Sequence, residues 1–300
     1  MRPLKVGVQL PEVERVVPWP ELRDMIRATE DLGFDSIWVG DHLLYRQPGI
    51  ASRGPWETWS TLAAIAAVTT RVEFGPLVAC TNFLNPGVLA KKAATIDEIS
   101  GGRLVLGLGA GWNKVEFDAY GFPFDHRVSR FEEAFTIIRT LLREGRIDFA
   151  GTYYQVRDLE LLPRGPRPEG PPLMVGSVGE RMLHITLPYV ASWNAWYVET
   201  DNRPDGVPRL RDLVDRVCGE VGRDPGEVER TVAVGVRLPG GRGREMARPA
   251  EPLRGTPEQI AEELRAYARE GIGHVQLVLD PITVASIEEV ARVLPILDAG

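Results

Sequence analysis

Asp41-His42 stands immediately after the apolar run 36–40. A histidine at the C-terminal end of a buried strand can donate a hydrogen bond or carry a proton near neutral pH, since its unperturbed pKa is about 6.5. The plain alternative is a helix-cap aspartate beside a surface histidine. Of the other histidines, His184 falls inside an expected helix and His274 at the N-terminal side of an expected strand, which marks both as structural; His126 completes the set. No histidine pair has a metal-ligand spacing such as His-Glu-x-x-His, so no metal site is expected.

Two glycine-rich turns suggest a planar, phosphorylated ligand. Gly107-Leu-Gly-Ala-Gly111 follows an apolar run and precedes Trp112. It is not the dinucleotide pattern Gly-x-Gly-x-x-Gly, but its glycines let a flat ligand approach the backbone. Trp112 then stands beside that ligand or packs on the rim. In Gly176-Ser177-Val178-Gly179, small residues join a strand to a helix. Exposed amides at a helix start favour an anion, with Ser177 adding a hydroxyl and Arg181 a charge. The alternative is an ordinary tight turn. In Val78-Ala79-Cys80-Thr81-Asn82, nothing places a base beside Cys80, so it reads as a structural thiol rather than a nucleophile.

The elements that must position these residues alternate between short apolar runs and amphipathic stretches, as in parallel sheets with crossover helices. Strands are expected at 4–10, 36–40, 72–79, 104–108, 173–175, 190–196, 232–237 and 274–279. Helices are expected at 19–32, 60–68, 86–99, 127–143, from 179, at 208–221, from the cap at Thr256, and at 285–297. Leu22, Met25, Ile26 and Leu32 share one face of the first helix, and Phe131, Phe135, Ile138 and Leu142 one face of the long one. The eight strand–helix units imply a single α/β domain over 1–300, a (β/α)8 TIM barrel with insertions. Three connections are long: 43–58, 145–172 with an extended piece at 153–162, and 239–255. The first and third follow strand C-termini, so they read as a substrate lid or as plain surface insertions.

The chain has 300 residues, 44% hydrophobic and 26% charged, with a net charge of −7. That balance argues against nucleic acid or an anionic membrane as a partner. No apolar run reaches membrane-span length, and the N-terminus opens into a strand pattern without a signal-peptide pattern. Cys80 and Cys218, far apart, form no disulfide framework, so a cytoplasmic location is expected.

The residues taken together resemble the luciferase-like monooxygenase family. The resemblance is carried by Val6-Gly-Val-Gln-Leu-Pro11, Gly33-Phe-Asp-Ser-Ile-Trp-Val-Gly-Asp-His42 and Ala90-Lys-Lys-Ala-Ala-Thr-Ile-Asp97. It continues through Ile99-Ser-Gly-Gly-Arg-Leu-Val-Leu-Gly-Leu-Gly-Ala-Gly-Trp-Asn113 and Leu173-Met-Val-Gly-Ser-Val-Gly179. It implies an oxidoreductase that uses coenzyme F420 or FMN at the C-terminal mouth of the barrel, by hydride transfer or monooxygenation of a small organic substrate. It implies His42 at the reactive edge of the ring, and cofactor contacts at Gln9, Ala79, Cys80, Thr81, Gly109, Gly111 and Trp112. The cofactor phosphate would lie at Gly176, Ser177, Val178 and Gly179. A non-prolyl cis peptide is implied within Ala79-Cys80-Thr81, and homodimers are common among members.

Two positions depart from the deazaflavin dehydrogenases. Arg46 stands where they carry a Trp four residues after the His, and Trp112 where they carry a Glu after the glycine turn. Glu116 lies four residues beyond, with nothing in the sequence to put it in that role. Arg127 and Arg130 open the long helix and read as solvated helix ends or as contacts to an anionic tail. Two other readings compete: a non-catalytic flavin-binding protein on the same scaffold, and an acid–base hydrolase built on Asp41, His42 and Glu116.

Overall fold

The computed structural model describes residues 2–47, 49–242 and 250–299. Strands β1 (Lys5–Gln9), β2 (Ser36–Val39), β3 (Glu73–Pro76), β4 (Ala79–Cys80), β5 (Leu106–Gly109), β8 (Leu173–Gly176), β9 (Ser192–Ala195), β10 (Glu229–Arg237) and β11 (His274–Asp280) form one parallel sheet. Its order is β3-β2-β1-β11-β10-β9-β8-β5-β4. The Phe74–Leu104 bridge joins β3 to the chain entering β5, while β4 pairs β5 through Ala79–Leu108 and Cys80–Gly109. β3 and β4 are thus two halves of one barrel strand, and the ring closes on eight positions. β6 (Arg146–Ala150) and β7 (Gln155–Glu160) form a separate antiparallel hairpin within 145–172.

Helices α1 (Trp19–Asp31), α2 (Thr58–Val68), α3 (Pro86–Ser100), α4 (Lys114–Tyr120), α5 (Arg127–Glu144), α6 (Glu180–Thr186), α7 (Val207–Glu220), α8 (Pro257–Arg269), α9 (Val284–Ala291) and α10 (Val293–Asp298) complete the described elements. The main core lies between strands and helices, where Val6, Val8, Ile37 and Leu108 meet Met25, Ile26, Leu62 and Leu89. Burial on that scale is the dominant stabilising term.

The departures from sequence expectation have local causes. α2 begins at Thr58 rather than 60 because the Glu57 carboxylate accepts the amides of Trp59 and Ser60. The expected last helix breaks at Arg292 into α9 and α10: Pro295 has no N–H to return to the turn before it. The third strand breaks where the Leu77–Val78 peptide is cis, just upstream of the Ala79-Cys80-Thr81 stretch that the resemblance suggested. α4 and the hairpin were not foreseen as such; seven residues are too few to display a helical period.

Val78 sits against the glycines of two neighbouring strands. A Cβ at Gly109 would lie 2.8 Å from Val78 Cγ2, and one at Gly107 or Gly176 would lie 2.9 Å from Val78 Cγ1. The bulge at the top of strand three therefore fits only because β5 and β8 carry no side chain there. We expect Gly109→Ala to cost about 1–3 kcal/mol through overpacking. Val78→Ala in the same background should restore most of that loss, as read from urea unfolding midpoints. Equal loss in both backgrounds would show that Val78 is not the obstacle.

Candidate active site

His42 follows β2, and its side chain is 17% exposed. Its Nδ1 lies 3.0 Å from Glu116 Oε2 and 3.2 Å from Oε1. Its Nε2 is 3.6 Å from Glu12 Oε1. Glu116 rides on α4, is 1% exposed, and accepts the backbone amides of Leu43 at 2.5 Å and Leu44 at 3.0 Å. Glu12 is held by Gln9, whose Nε2 donates to Oε2 at 3.1 Å, and by the Tyr45 hydroxyl, which donates to Oε1 at 2.8 Å. Both ring nitrogens thus face carboxylates, which favours the doubly protonated imidazole. Burial alone pushes the His42 pKa down, yet Glu12, Glu116 and Asp41 outweigh it and hold the pKa above the ordinary histidine value.

Glu12 was absent from the sequence reading, and Glu116 entered it in the hydrolase alternative and as a carboxylate too far along to take the role of the missing Glu. Glu12 lies in an irregular stretch after β1, where no periodicity points to it. Glu116 was visible as a carboxylate a few residues late, but only the turn into α4 rotates it onto His42. Trp112, in the position where a Glu was expected, lies 5.6 Å from the His42 ring and 6.2 Å from Tyr45, and is 64% exposed. Arg46 is exposed and donates to Ser52.

Asp41 is buried, accepts the Cys80 amide at 2.8 Å, and has its pKa pushed up to about 6 by that burial. It ties the end of β2 to β4. Cys80 packs with Phe83 and Phe117, and burial followed by the nearby Asp41 drives its thiol well above the usual range. It stays a thiol and is no nucleophile. Thr81 donates to the Gly109 carbonyl at 3.3 Å, and the Asn82 amide to the Ala110 carbonyl at 2.9 Å. Asn82 Oδ1 and Gln9 Oε1 are buried acceptors with no hydrogen-bond partner among the described residues. Gly111 has φ +75, and a Cβ there would lie 2.5 Å from Cys80 Sγ, so the turn admits only glycine.

In the turn after β8, Ser177 Oγ accepts the Gly179 amide at 3.1 Å. Arg181 does not serve this turn: it bonds Ser129 and Glu132, both at 3.0 Å, on α5. Arg127 lies over Phe124, and Arg130 over Tyr153 while bonding Asp125. Because the strands are parallel and in register at Cys80–Gly109 and Leu108–Val175, His42, Cys80, Gly109 and Ser177 share one rim of the barrel. The loop 43–58 borders the same rim. Its Tyr45–Arg53 bridge folds it back on itself, and Asn113 donates to the Leu44 carbonyl at 3.0 Å. Part of the third long connection, 243–249, lies outside the described residues.

Elsewhere, His274 is buried at the opposite end of the barrel, 2.7 Å from the Ser36 hydroxyl, with its pKa pushed down to about 3 by burial. It is a neutral packing residue. His184 lies on the outside, where the fold brings it within 4.8 Å of Glu180 and Glu220, an arrangement that sequence spacing did not reveal. Arg216 already bonds both carboxylates, at 2.8 and 2.9 Å, so the group is a surface ion-pair network.

Protonated His42 contributes stability that is fully present below its unfolded pKa and lost as pH rises through its raised folded pKa. Removing the charge of Glu116 should therefore lower that pKa. We expect Glu116→Gln to shift the NMR titration of the His42 ring protons to lower pH. An unchanged midpoint would mean that the two groups are not coupled.

A profile for luciferase-like monooxygenases matches residues 5–238. An F420-dependent glucose-6-phosphate dehydrogenase of Amycolatopsis mediterranei is 34% identical over 171 residues, 55% of this chain and 50% of its own length. The chain thus spans about half the length of that relative. A phthiodiolone/phenolphthiodiolone dimycocerosates ketoreductase of Mycobacterium tuberculosis is 30% identical over 282 residues, 87% of this chain and 72% of its own. In three dimensions the chain is similar to an F420-dependent secondary alcohol dehydrogenase solved with an F420-acetone adduct, at TM-score 0.82 and 18% identity over 99% of both chains, which is a likeness of fold. With a half-buried histidine set at the mouth of a closed parallel barrel, and with that profile running from β1 to the end of β10, the chain belongs to the luciferase-like monooxygenase family.

Proposed function

We propose that the chain is an oxidoreductase that binds coenzyme F420, with FMN as the alternative cofactor, and transfers a hydride between it and a small organic substrate at the barrel mouth. The carrying observation is His42, kept charged by Glu12 and Glu116 on the rim that also bears the glycine turns. Bound deazaflavin supplies or accepts the hydride. In the reducing direction, the His42 imidazolium would give its Nε2 proton to the substrate's carbonyl oxygen as that carbonyl is reduced to an alcohol. In the oxidising direction, neutral His42 takes that proton back. Glu116 holds the ring in place in both directions.

The residues fit such a cofactor. Val78, packed into the space that side chains at Gly109 and Gly176 would need, would give a flat ring its wall, and the buried acceptor Gln9 Oε1 lacks a partner among the described residues. The turn Gly176-Ser177-Val178-Gly179 would take the phosphate by its amides once the Ser177 hydroxyl turns outward. Ala79, Cys80, Thr81 and Gly111 complete the proposed surroundings of the ring. The relatives named above carry the names of enzymes and lend no support to a non-catalytic storage role. Nor would storage need an imidazole charged by carboxylates. No described helix is long and apolar enough to cross a membrane. A cytoplasmic place and a homodimer remain part of this reading.

Fluorescence titration with F420 and with FMN tests the assignment directly; failure of both to bind would end it. Ser177→Asp should weaken binding of whichever cofactor binds by about tenfold or more, through like-charge repulsion at the phosphate. Unchanged affinity would remove the turn from the site. His42→Ala should lower kcat by about 10²–10⁴ while cofactor affinity holds. The wild-type reduction rate should fall as pH rises through the raised His42 pKa, and a flat profile would exclude His42 as the proton donor.

A further inference from the structure

Resting on the reading above, we infer that the substrate is a neutral, apolar ketone or alcohol whose body lies against Trp112 and Tyr45, and that phosphorylated substrates are excluded from this mouth.

Three observations carry this. First, the carboxylates of Glu12, Glu116 and Asp41 surround the single imidazole of His42, so the reacting end of the mouth carries more negative than positive charge. A dianionic phosphate brought there meets repulsion in a partly desolvated setting, where it is least screened. Second, three described cations on the elements that follow the barrel strands are committed to carboxylates, while Arg46 donates to the Ser52 hydroxyl and Arg127 lies over Phe124. Lys114 bonds Asp118 at 2.6 Å, Arg181 bonds Glu132 at 3.0 Å and Arg237 bonds Asp280 at 3.2 Å. An anionic substrate would have to break one of these three pairs to draw a counter-charge from it.

Third, the wall beside His42 is aromatic. Trp112 stands edge-on to the His42 ring at 5.6 Å and to Tyr45 at 6.2 Å, yet 64% of its surface is exposed. A tryptophan left that open beside a reactive histidine offers a large apolar face for a ligand to cover. The sequence reading placed Trp112 among the cofactor contacts. Its ring packs with His42 and Tyr45, at the proton-donor end. The structure therefore assigns it to the substrate side. The His42 proton and the aromatic wall together select a carbonyl or hydroxyl group attached to an apolar body.

The test uses the whole protein loaded with F420, after cofactor binding has been measured alone. Calorimetric titrations compare acetophenone and cyclohexanone with glucose 6-phosphate. Saturable binding of at least one ketone is expected, with glucose 6-phosphate at least tenfold weaker. Trp112→Ala should weaken ketone binding about tenfold and leave F420 affinity within twofold, and Trp112→Phe should recover most of the loss. Because Trp112 is largely exposed, its replacement leaves the core intact. The inference is overturned if neither ketone binds, if glucose 6-phosphate binds as tightly as the better ketone, or if Trp112→Ala weakens F420 instead of the ketone. Failure of F420 and FMN to bind in the first step strikes the underlying reading. The same ketone titrations on the cofactor-free protein then decide whether the aromatic wall binds them by itself.

Discussion

The hydrogen bond between Glu116 and His42 spans two elements far apart in the chain, the loop after β2 and the short helix α4 after β5. It is a charge-assisted contact in a poorly hydrated setting, worth more than a neutral hydrogen bond and costly to break from one side. Glu116 also takes the amides of Leu43 and Leu44, so the same carboxylate fixes the start of the loop that borders the mouth. The orientation of the imidazole and the position of that loop depend on this one side chain, which shares with Glu12 and Asp41 the raising of the ring's pKa.

The half-buried His42 and the buried His274 show how far environment decides chemistry. His274 and His42 both sit at the ends of barrel strands, and burial presses both toward the neutral form. At His274 the hydrogen-bond partner among the described residues is the Ser36 hydroxyl, burial presses the ring neutral and the Lys5 charge on the neighbouring strand adds to the depression, so its pKa falls to about 3. At His42 three carboxylates reverse the outcome. One end of the barrel is thereby a packed floor with a neutral imidazole, and the other carries an imidazole whose pKa is held above the ordinary value.

The mouth is shaped as much by missing side chains as by present ones. Val78 occupies the space that side chains on Gly107, Gly109 and Gly176 would need, and Asp41 pins the next turn through the Cys80 amide. Cys80 itself is packing, and its neighbour Gly111 accommodates its sulfur. A bulge, an aspartate and a set of glycines thus give one smooth rim without any catalytic group of their own.

Much of this was legible in the sequence. Apolar runs alternating with amphipathic helices gave the barrel and its eight units, because strand and helix periods are local properties of the chain. His42, the glycine turns and the family resemblance were equally local, since each is a short pattern at a strand end. Glu12 and Glu116 were not legible as partners of His42: their approach depends on the rotation of a loop and of a helix too short to announce itself. The break in strand three at Leu77–Val78, the removal of Arg181 from the phosphate turn, and the gathering of Glu180, His184 and Glu220 likewise had no local signal. What the sequence determined by itself was which strand ends face the mouth. What the tertiary structure decided was the charge at that mouth, because electrostatic coupling falls with distance through space and is indifferent to separation along the chain.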